Sequence, residues 1–323
     1  MNEHFLVTGA MGCIGAWVVR NLVQEGAQVT VFDLASNPHR LKLIMDADAL
    51  AQVRFIEGDI TNTSAVERVV ADASHVIHLA ALQVPFCKQD PVLGAQVNVV
   101  GTVNIFEAAR RAGLQRVVYA SSVAVFGRSE DYDAAPLKDD AALKPHTHYG
   151  VYKQANEGTA RIYWQDNAVS SIGLRPYTVY GPGRDQGLTS APTKAMLAAA
   201  AGVPFHIGFG GRSAYQYADD TARIFIQAAR APFEGADVFN LRGSIAHMTD
   251  ILQAIETVVP MSAGTLTYDD VPLPFPEETD DSGLIAAIGT PPYTPLETGV
   301  AATIALFQQA LAEGRITTES LTR

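Results

Sequence analysis

The sequence predicts an α/β protein: a doubly wound parallel sheet, covered on both faces, with a smaller C-terminal lobe. Three observations predict it. Apolar runs of strand length alternate with helical patterns through the first half of the chain. Those strands are continuously apolar rather than alternating, as strands buried on both faces must be. After Pro176 the rhythm gives way to segments punctuated by Gly and Pro, with helices between them. The expected division is 1–176 for the sheet-based half and 177–323 for a lobe interleaved with it, some of whose segments return to the sheet.

Taken in order, Phe5-Leu6-Val7-Thr8 is the first strand, and helical periodicity over 13–25 ends at Gly26. Strands follow at Gln28 to Phe32 and Val53 to Ile56, then a helix from Asn62 to Ala71. His75 to Leu79 is a strand, 92–112 a long helix, Arg116 to Ala120 a strand, 148–167 a helix and Ser171 to Arg175 a strand. Beyond Pro176, helices are expected at 190–201, 219–231, 249–259 and 297–313. The segment Tyr268 to Asp281, rich in Pro and acids, reads as a solvated loop.

Composition narrows the partners. With 48% hydrophobic and 18% charged residues the chain is an ordinary globular protein. A formal net charge of −11 lacks the basic footprint that nucleic acid or an anionic membrane requires. No run of apolar residues reads as a membrane span, and Met1-Asn2-Glu3-His4 leads into the first strand without the basic region of a signal peptide. Two cysteines, Cys13 and Cys87, make no disulfide framework, so a cytoplasmic location is expected.

The first strand hands over to its helix through Gly9-Ala10-Met11-Gly12-Cys13-Ile14-Gly15. Glycines let such a turn adopt positive φ and let the backbone approach a pyrophosphate, whose charge then rests on the helix N-terminus. The spacing is GxxGxxG rather than GxGxxG. Asp33 ends the second strand, at the distance expected for an acid on the adenosine ribose of a Rossmann fold. A carboxylate there accepts from both ribose hydroxyls and repels a 2′-phosphate, so NAD is expected rather than NADP.

Tyr149 and Lys153 stand four residues apart at a helix start and share a face. A nearby ammonium and a cationic nicotinamide favour phenolate, which suits a tyrosine that takes a proton from an alcohol. Tyr152 has no such partner and reads as structural.

With these motifs in place, the chain resembles the extended short-chain dehydrogenase/reductase family, the group of nucleotide-sugar epimerases and dehydratases. The resemblance runs through Gly58-Asp59-Ile60, His78-Leu79-Ala80-Ala81, Asn98-Val99-Val100-Gly101-Thr102 and Tyr119-Ala120-Ser121-Ser122-Val123-Ala124-Val125-Phe126-Gly127. It continues in Leu174-Arg175-Pro176, Tyr180-Gly181-Pro182-Gly183 and Asp219-Asp220-Thr221-Ala222. The resemblance implies an NAD site formed by Gly9, Met11, Gly12, Cys13, Ile14, Gly15, Asp33, Asp59, Ile60, Leu79, Ala80, Ala81, Asn98 and Lys153. Aligned on Gly127, Ser122 rather than Ser121 takes the place of the catalytic Ser/Thr. It then implies that Tyr149 removes the proton of a secondary alcohol, that Lys153 holds the nicotinamide ribose and lowers the Tyr149 pKa, and that Ser122 orients the substrate oxygen. Gln83, Ser122, Tyr149, Tyr177, Thr178, Arg184 and Arg212 are the candidate substrate contacts. A homodimer through helices 92–112 and 148–167 is implied as well.

Departures from the family pattern guide the choice of reaction. Dehydratases carry Asp-Glu after the catalytic Thr; Val123 and Ala124 stand there and cannot do acid–base work. Nucleotide-sugar epimerases have Asn three residues after the strand-end Arg, where this chain has Thr178. They also have an Arg where an ungapped count gives Ser213, with Arg212 one residue away. These two departures put an NAD-dependent dehydrogenase of a sugar or sugar acid first. The alternative is a nucleotide-sugar epimerase of the UDP-glucose 4-epimerase kind, and a non-catalytic NAD sensor comes third. No metal is expected: His146 and His148 read as loop histidines without further ligands, and Cys13 reads as a small packed side chain.

Overall fold

In the computed structural model, described for residues 3–133 and 135–321, strand β1 (His4–Thr8) lies inside a parallel sheet. Met1 and Asn2, part of the expected lead-in, lie outside the described residues. The other strands are β2 (Gln28–Asp33), β3 (Arg54–Glu57), β4 (His75–His78), β5 (Arg116–Ala120), β6 (Ser170–Arg175), β7 (Thr178–Tyr180), β8 (Phe205–Ile207), β9 (Arg212–Tyr217), β10 (Ala236–Asn240), β11 (Ser244–His247) and β12 (Leu266–Tyr268). Among the described residues, seven of them form the main sheet in the order β10-β6-β5-β4-β1-β2-β3. Every pairing in it is parallel. The chain reverses its winding between β1 and β4, and a ligand crevice opens at the carboxyl ends of strands at such a point.

The continuous apolar strands have the expected cause. Val7, Val31, Ile77 and Val118 point into one core, with the helices Cys13–Gln24 and Ala218–Arg230. Their neighbours Leu6, Phe32, Val76 and Val117 point into another, with Thr63–Val70 and Gly101–Ala112. Period-two alternation sends successive residues to opposite faces, and both faces are covered.

Residues after Pro176 supply both β10 and the helix Ala218–Arg230 to this sheet. They also form a three-stranded sheet, β11-β9-β7, and the pair β12-β8. A third core joins this lobe to the turn Val123–Val125, through residues such as Tyr177, Met196 and Ile304.

The expected helix 92–112 is not uniform. It runs as Pro91–Ala95, a π-helical turn Gln96–Val100, and Gly101–Ala112. By length and composition the run Pro91–Ala112 is sufficient to cross a membrane, but half of its most apolar stretch is buried inside the molecule. That burial, together with its packing against Thr63–Val70 and His148–Asn167, is the environment of a core helix.

Candidate active site

A cleft of about 520 Å³ opens at the reversal between β1 and β4. One wall is the glycine loop. Gly9 has φ +69°, and a Cβ there would lie 2.4 Å from the Ala80 nitrogen, so only glycine lets the two loops meet. Gly12 caps the helix Cys13–Gln24 without any side-chain capping bond, which leaves the helix N-terminus to an anion. Asp33 holds the loop: its Oδ2 accepts from the Met11 amide at 2.9 Å and its Oδ1 from the Ala35 amide at 3.0 Å. Met11, Gly12, Cys13, Ile14, Gly15, Asp59, Ile60, Leu79, Ala80 and Ala81 all line the same cleft. Burial pushes the Cys13 thiol up to about 12, so it stays protonated.

Asn98 is the exception among the expected cofactor residues. It is fully buried in the π-helical turn and does not line the cleft. Its amide accepts from the Leu82 nitrogen at 2.7 Å and donates to the Leu82 oxygen at 2.9 Å. The π turn aims Asn98 at that backbone, so it braces the loop after β4, whose Leu82 lines the cleft. His78 does related work from the strand: its ring bonds the hydroxyls of Thr8 at 2.7 Å and Thr102 at 3.1 Å. Thr102 already donates to the Asn98 carbonyl at 2.7 Å, so His78 Nε2 donates to Thr102 and Nδ1 accepts from Thr8, the pattern of a neutral ring.

The opposite end holds Ser122, Tyr149 and Lys153. Thr147 caps the helix His148–Asn167, its hydroxyl accepting from the Gly150 amide at 3.0 Å. A Cβ on Gly150 would lie 2.1 Å from the Ala124 carbonyl, so the helix start can press against the strand-end turn that carries Ser122. The neighbouring Ser121 is spent on structure. It donates to buried Glu157, which pairs with Arg175 at 2.9 and 2.8 Å. Tyr152 faces elsewhere and donates to the Pro91 carbonyl at 2.8 Å.

Lys153 Nζ donates to the Ala120 carbonyl at 2.7 Å and lies 5.6 Å from the Tyr149 ring centre. Burial pulls its pKa down to about 8, which leaves it mostly protonated at neutral pH, with two further donors. Burial likewise raises the Tyr149 phenol; hydrogen bonding to Ser122 and the charge of Arg184 pull it the other way. The expected source of that lowering was Lys153. The Lys153 ammonium, held at the Ala120 carbonyl, lies beside that ring, and Arg184 is a second cation whose charge acts on the phenol.

The candidate substrate residues divide. Gln83, Ser122, Tyr149, Tyr177 and Arg184 line the cleft. Arg184 donates from Nη2 to Thr189 at 3.0 Å, while its Nε and the Gln83 Oε1 are buried without a partner. Thr178 and Arg212 do not line it. Thr178 is fully buried and its hydroxyl bonds that of Ser213 at 3.2 Å. Strand alternation along β9 then sends Arg212 to the other face, where it is half-exposed and 3.5 Å from Glu278. A one-residue gap therefore does not bring an Arg into the cleft.

Sequence reasoning missed three contributors. Arg40 and Asp185 line the cleft as an ion pair of 2.6 Å, and no local signal joins residues that far apart. Phe275 reaches the cleft from the acidic, proline-rich segment and sits edge-on to Tyr177 with centroids 5.9 Å apart; an apolar residue inside that segment was the available hint. Among the described residues no group of three His, Cys, Asp or Glu is placed to hold a metal.

Comparison with known proteins agrees with this geometry. The sequence model of the NAD dependent epimerase/dehydratase family matches residues 5–241. A UDP-glucose 4-epimerase of Mycolicibacterium smegmatis is 30% identical over 318 residues, spanning 94% of this chain and 98% of its own. The crystal structure of a Thermotoga maritima UDP-glucose 4-epimerase with UDP-glucose superposes with a TM-score of 0.83 at 22% identity, covering 96% of this chain and 100% of that one. At that identity it is evidence of fold. MoeE5, solved in complex with UDP-glucose and NAD, superposes with a TM-score of 0.81 at 26% identity, again covering 96% and 100%.

Proposed function

The chain belongs to the NAD-dependent epimerase/dehydratase family, enzymes of the extended short-chain dehydrogenase/reductase type, and from that premise we propose that it epimerises a sugar nucleotide at a ring carbinol. Two things support the reading: the cleft joins the glycine loop to Ser122, Tyr149 and Lys153, and the UDP-glucose 4-epimerase relative matches along nearly its whole length. The dehydrogenase that the motifs put first becomes the second reading. The buried Thr178–Ser213 contact favours it, because it occupies the two positions where nucleotide-sugar epimerases present Asn and Arg.

The residues fit NAD. The Gly9 cradle admits no Cβ, the helix N-terminus lacks a side-chain cap, and Asp33 is fixed beside the loop with acceptor capacity to spare. NAD, when bound, supplies the reversible hydride acceptor. Tyr149 takes the proton of the substrate hydroxyl and returns it. Ser122 hydrogen-bonds the same oxygen and fixes its direction. Lys153 holds the nicotinamide ribose with the donors that Ala120 leaves free, and Arg184 favours the phenolate while meeting an anionic part of the substrate. Gln83 offers its unpartnered oxygen to a substrate hydroxyl.

In this reading residues 1–176 carry cofactor and catalysis, and 177–323 supply mainly the substrate side. Val92, Leu93, Val100, Val151 and Ile162 are exposed on the helical runs Pro91–Ala112 and His148–Asn167, a face suited to a second copy. A monomer in sedimentation would remove that assignment. The two free thiols suit a reducing cytoplasm.

The test is to incubate purified protein with UDP-glucose, UDP-galactose, UDP-glucuronate and free sugar acids, following sugar products and the NADH absorbance band together. An epimer formed without net NADH supports the first reading. NADH accumulating in step with an oxidised product replaces it with the second.

A further inference from the structure

The segment Gly181 to Thr189 lies against the dinucleotide half of the molecule through two attachments of different character. One is internal: the Trp17 indole donates to the Pro182 carbonyl at 2.9 Å, and Trp17 is buried. The other is at the edge of the cleft. Arg40, in the short helix His39–Ile44 after β2, reaches Asp185 with Nε at 3.0 Å and Nη2 at 2.6 Å. The remaining arm of the same guanidinium donates to the Met11 carbonyl at 2.6 Å, so it is bonded at once to the glycine loop and to the far segment. The Arg40 stem lies over Gly183, whose φ of +91° turns the chain towards it. His39 Nε2 adds a longer contact to Asp185 at 3.4 Å.

All three parties line the cleft: Met11 below, Arg40 on one side, Asp185 on the other. The bridge therefore closes the cleft edge at the glycine loop, where the pyrophosphate of a dinucleotide belongs. The Trp17–Pro182 attachment is buried and fixed. The Arg40–Asp185 bridge is partly exposed, with side-chain exposures of 13% and 32%, so it is the attachment that can open. With its donors committed to Asp185 and Met11, Arg40 is also not a free cation for a 2′-phosphate.

We propose that Arg40 and Asp185 form a clasp that retains the cofactor, setting how fast it leaves between turnovers. The proposal rests on the reading of this cleft as an NAD site. It bears directly on the choice between an epimerase, which must keep its cofactor through a full cycle, and a dehydrogenase, which must exchange it. Asp185 and Arg40 are positioning residues: they act on the cofactor's exit and not on the reacting atoms.

The experiment loads the full-length protein with NADH, chases it with excess NAD, and follows loss of bound NADH fluorescence. Asp185→Asn and Arg40→Gln should each release NADH about tenfold faster, as expected for losing a bidentate, partly buried ion pair. Asp185→Glu keeps the charge and should restore most of the retention. The double variant should release no faster than Arg40→Gln alone, because removing Arg40 already removes the contact that Asp185 makes. Melting temperatures of the NADH-free proteins check that the folds are intact; Asp185→Glu against Asp185→Asn remains informative if Arg40→Gln unfolds. Release rates in Asp185→Asn within about twofold of the parent, a difference under ~0.5 kcal/mol, would overturn the clasp while leaving the NAD site standing. So would additive effects in the double variant. Failure of the parent protein to bind NADH at all would remove both.

Discussion

The hydroxyls of Thr178 and Ser213 are 3.2 Å apart in the interior, Thr178 on β7 and Ser213 on β9. Both side chains are buried, so the two hydroxyls bond each other and neither reaches the cleft. Any diphosphate in this protein must be held by other groups, and Arg184, a partly buried cation that lines the cleft, is placed to do so.

Removing one of the two hydroxyls should be felt in stability. Thr178→Val keeps the shape and leaves Ser213 buried without its partner, which costs about 1–2 kcal/mol. Urea unfolding of the NAD-free protein measures it. An unchanged midpoint would mean that the contact contributes nothing.

Tyr149→Phe deletes the proton acceptor and leaves the ring in place. Turnover should fall by about a thousandfold, while NADH binding, read by fluorescence titration, stays within a few-fold of the parent. Retention of more than about a tenth of the turnover would assign the proton transfer elsewhere.

Arg184 acts on Tyr149 as well as on substrate. Its charge lowers the phenol's pKa, so Arg184→Gln should move the limb of the kcat/KM profile that needs phenolate to higher pH. KM should rise by about tenfold or more, the equivalent of ~1.4 kcal/mol of lost anion binding. A higher KM with an unmoved limb would separate the two roles and refute the electrostatic one.

His78 makes an acid-stability prediction with a definite sign. Burial, aided by the charge of Lys153, lowers its pKa from 6.5 to about 3. The folded ring stays neutral while the unfolded one gains a proton, so its contribution is intact above pH 6.5 and is lost progressively as pH falls towards 3. Parent stability should fall faster than that of His78→Gln over this window, by about 1.4 kcal/mol per pH unit. Parallel slopes would contradict the buried neutral ring.

How much was legible in advance follows from how local each signal is. Six strands of the main sheet could be read because residues such as Val7, Val31, Ile77 and Val118 alternate with equally apolar neighbours, a pattern that two covered faces explain, whereas the edge strand β10, only partly buried, was not read as a strand. The short β7 and β8 could not, since three residues carry no period. Ser122 and Tyr149 stand in local motifs: the four-residue spacing to Lys153 singled out Tyr149, and the family resemblance singled out Ser122, and both line the cleft. Arg212 and Asn98 show the limit. A motif count cannot tell which way a β9 side chain points, or that a π-helical turn aims Asn98 at the backbone of Leu82. The Arg40–Asp185 bridge spans 145 positions and exists only through the fold.

The most direct test of the central claim is to trace the hydrogen on the reacting carbon. UDP-glucose carrying deuterium at the ring carbinol should give UDP-galactose with deuterium retained at the same carbon and no labelled NADH in solution. Deuterium appearing in free NADH, matched by an oxidised sugar, would contradict epimerisation and establish the enzyme as a dehydrogenase.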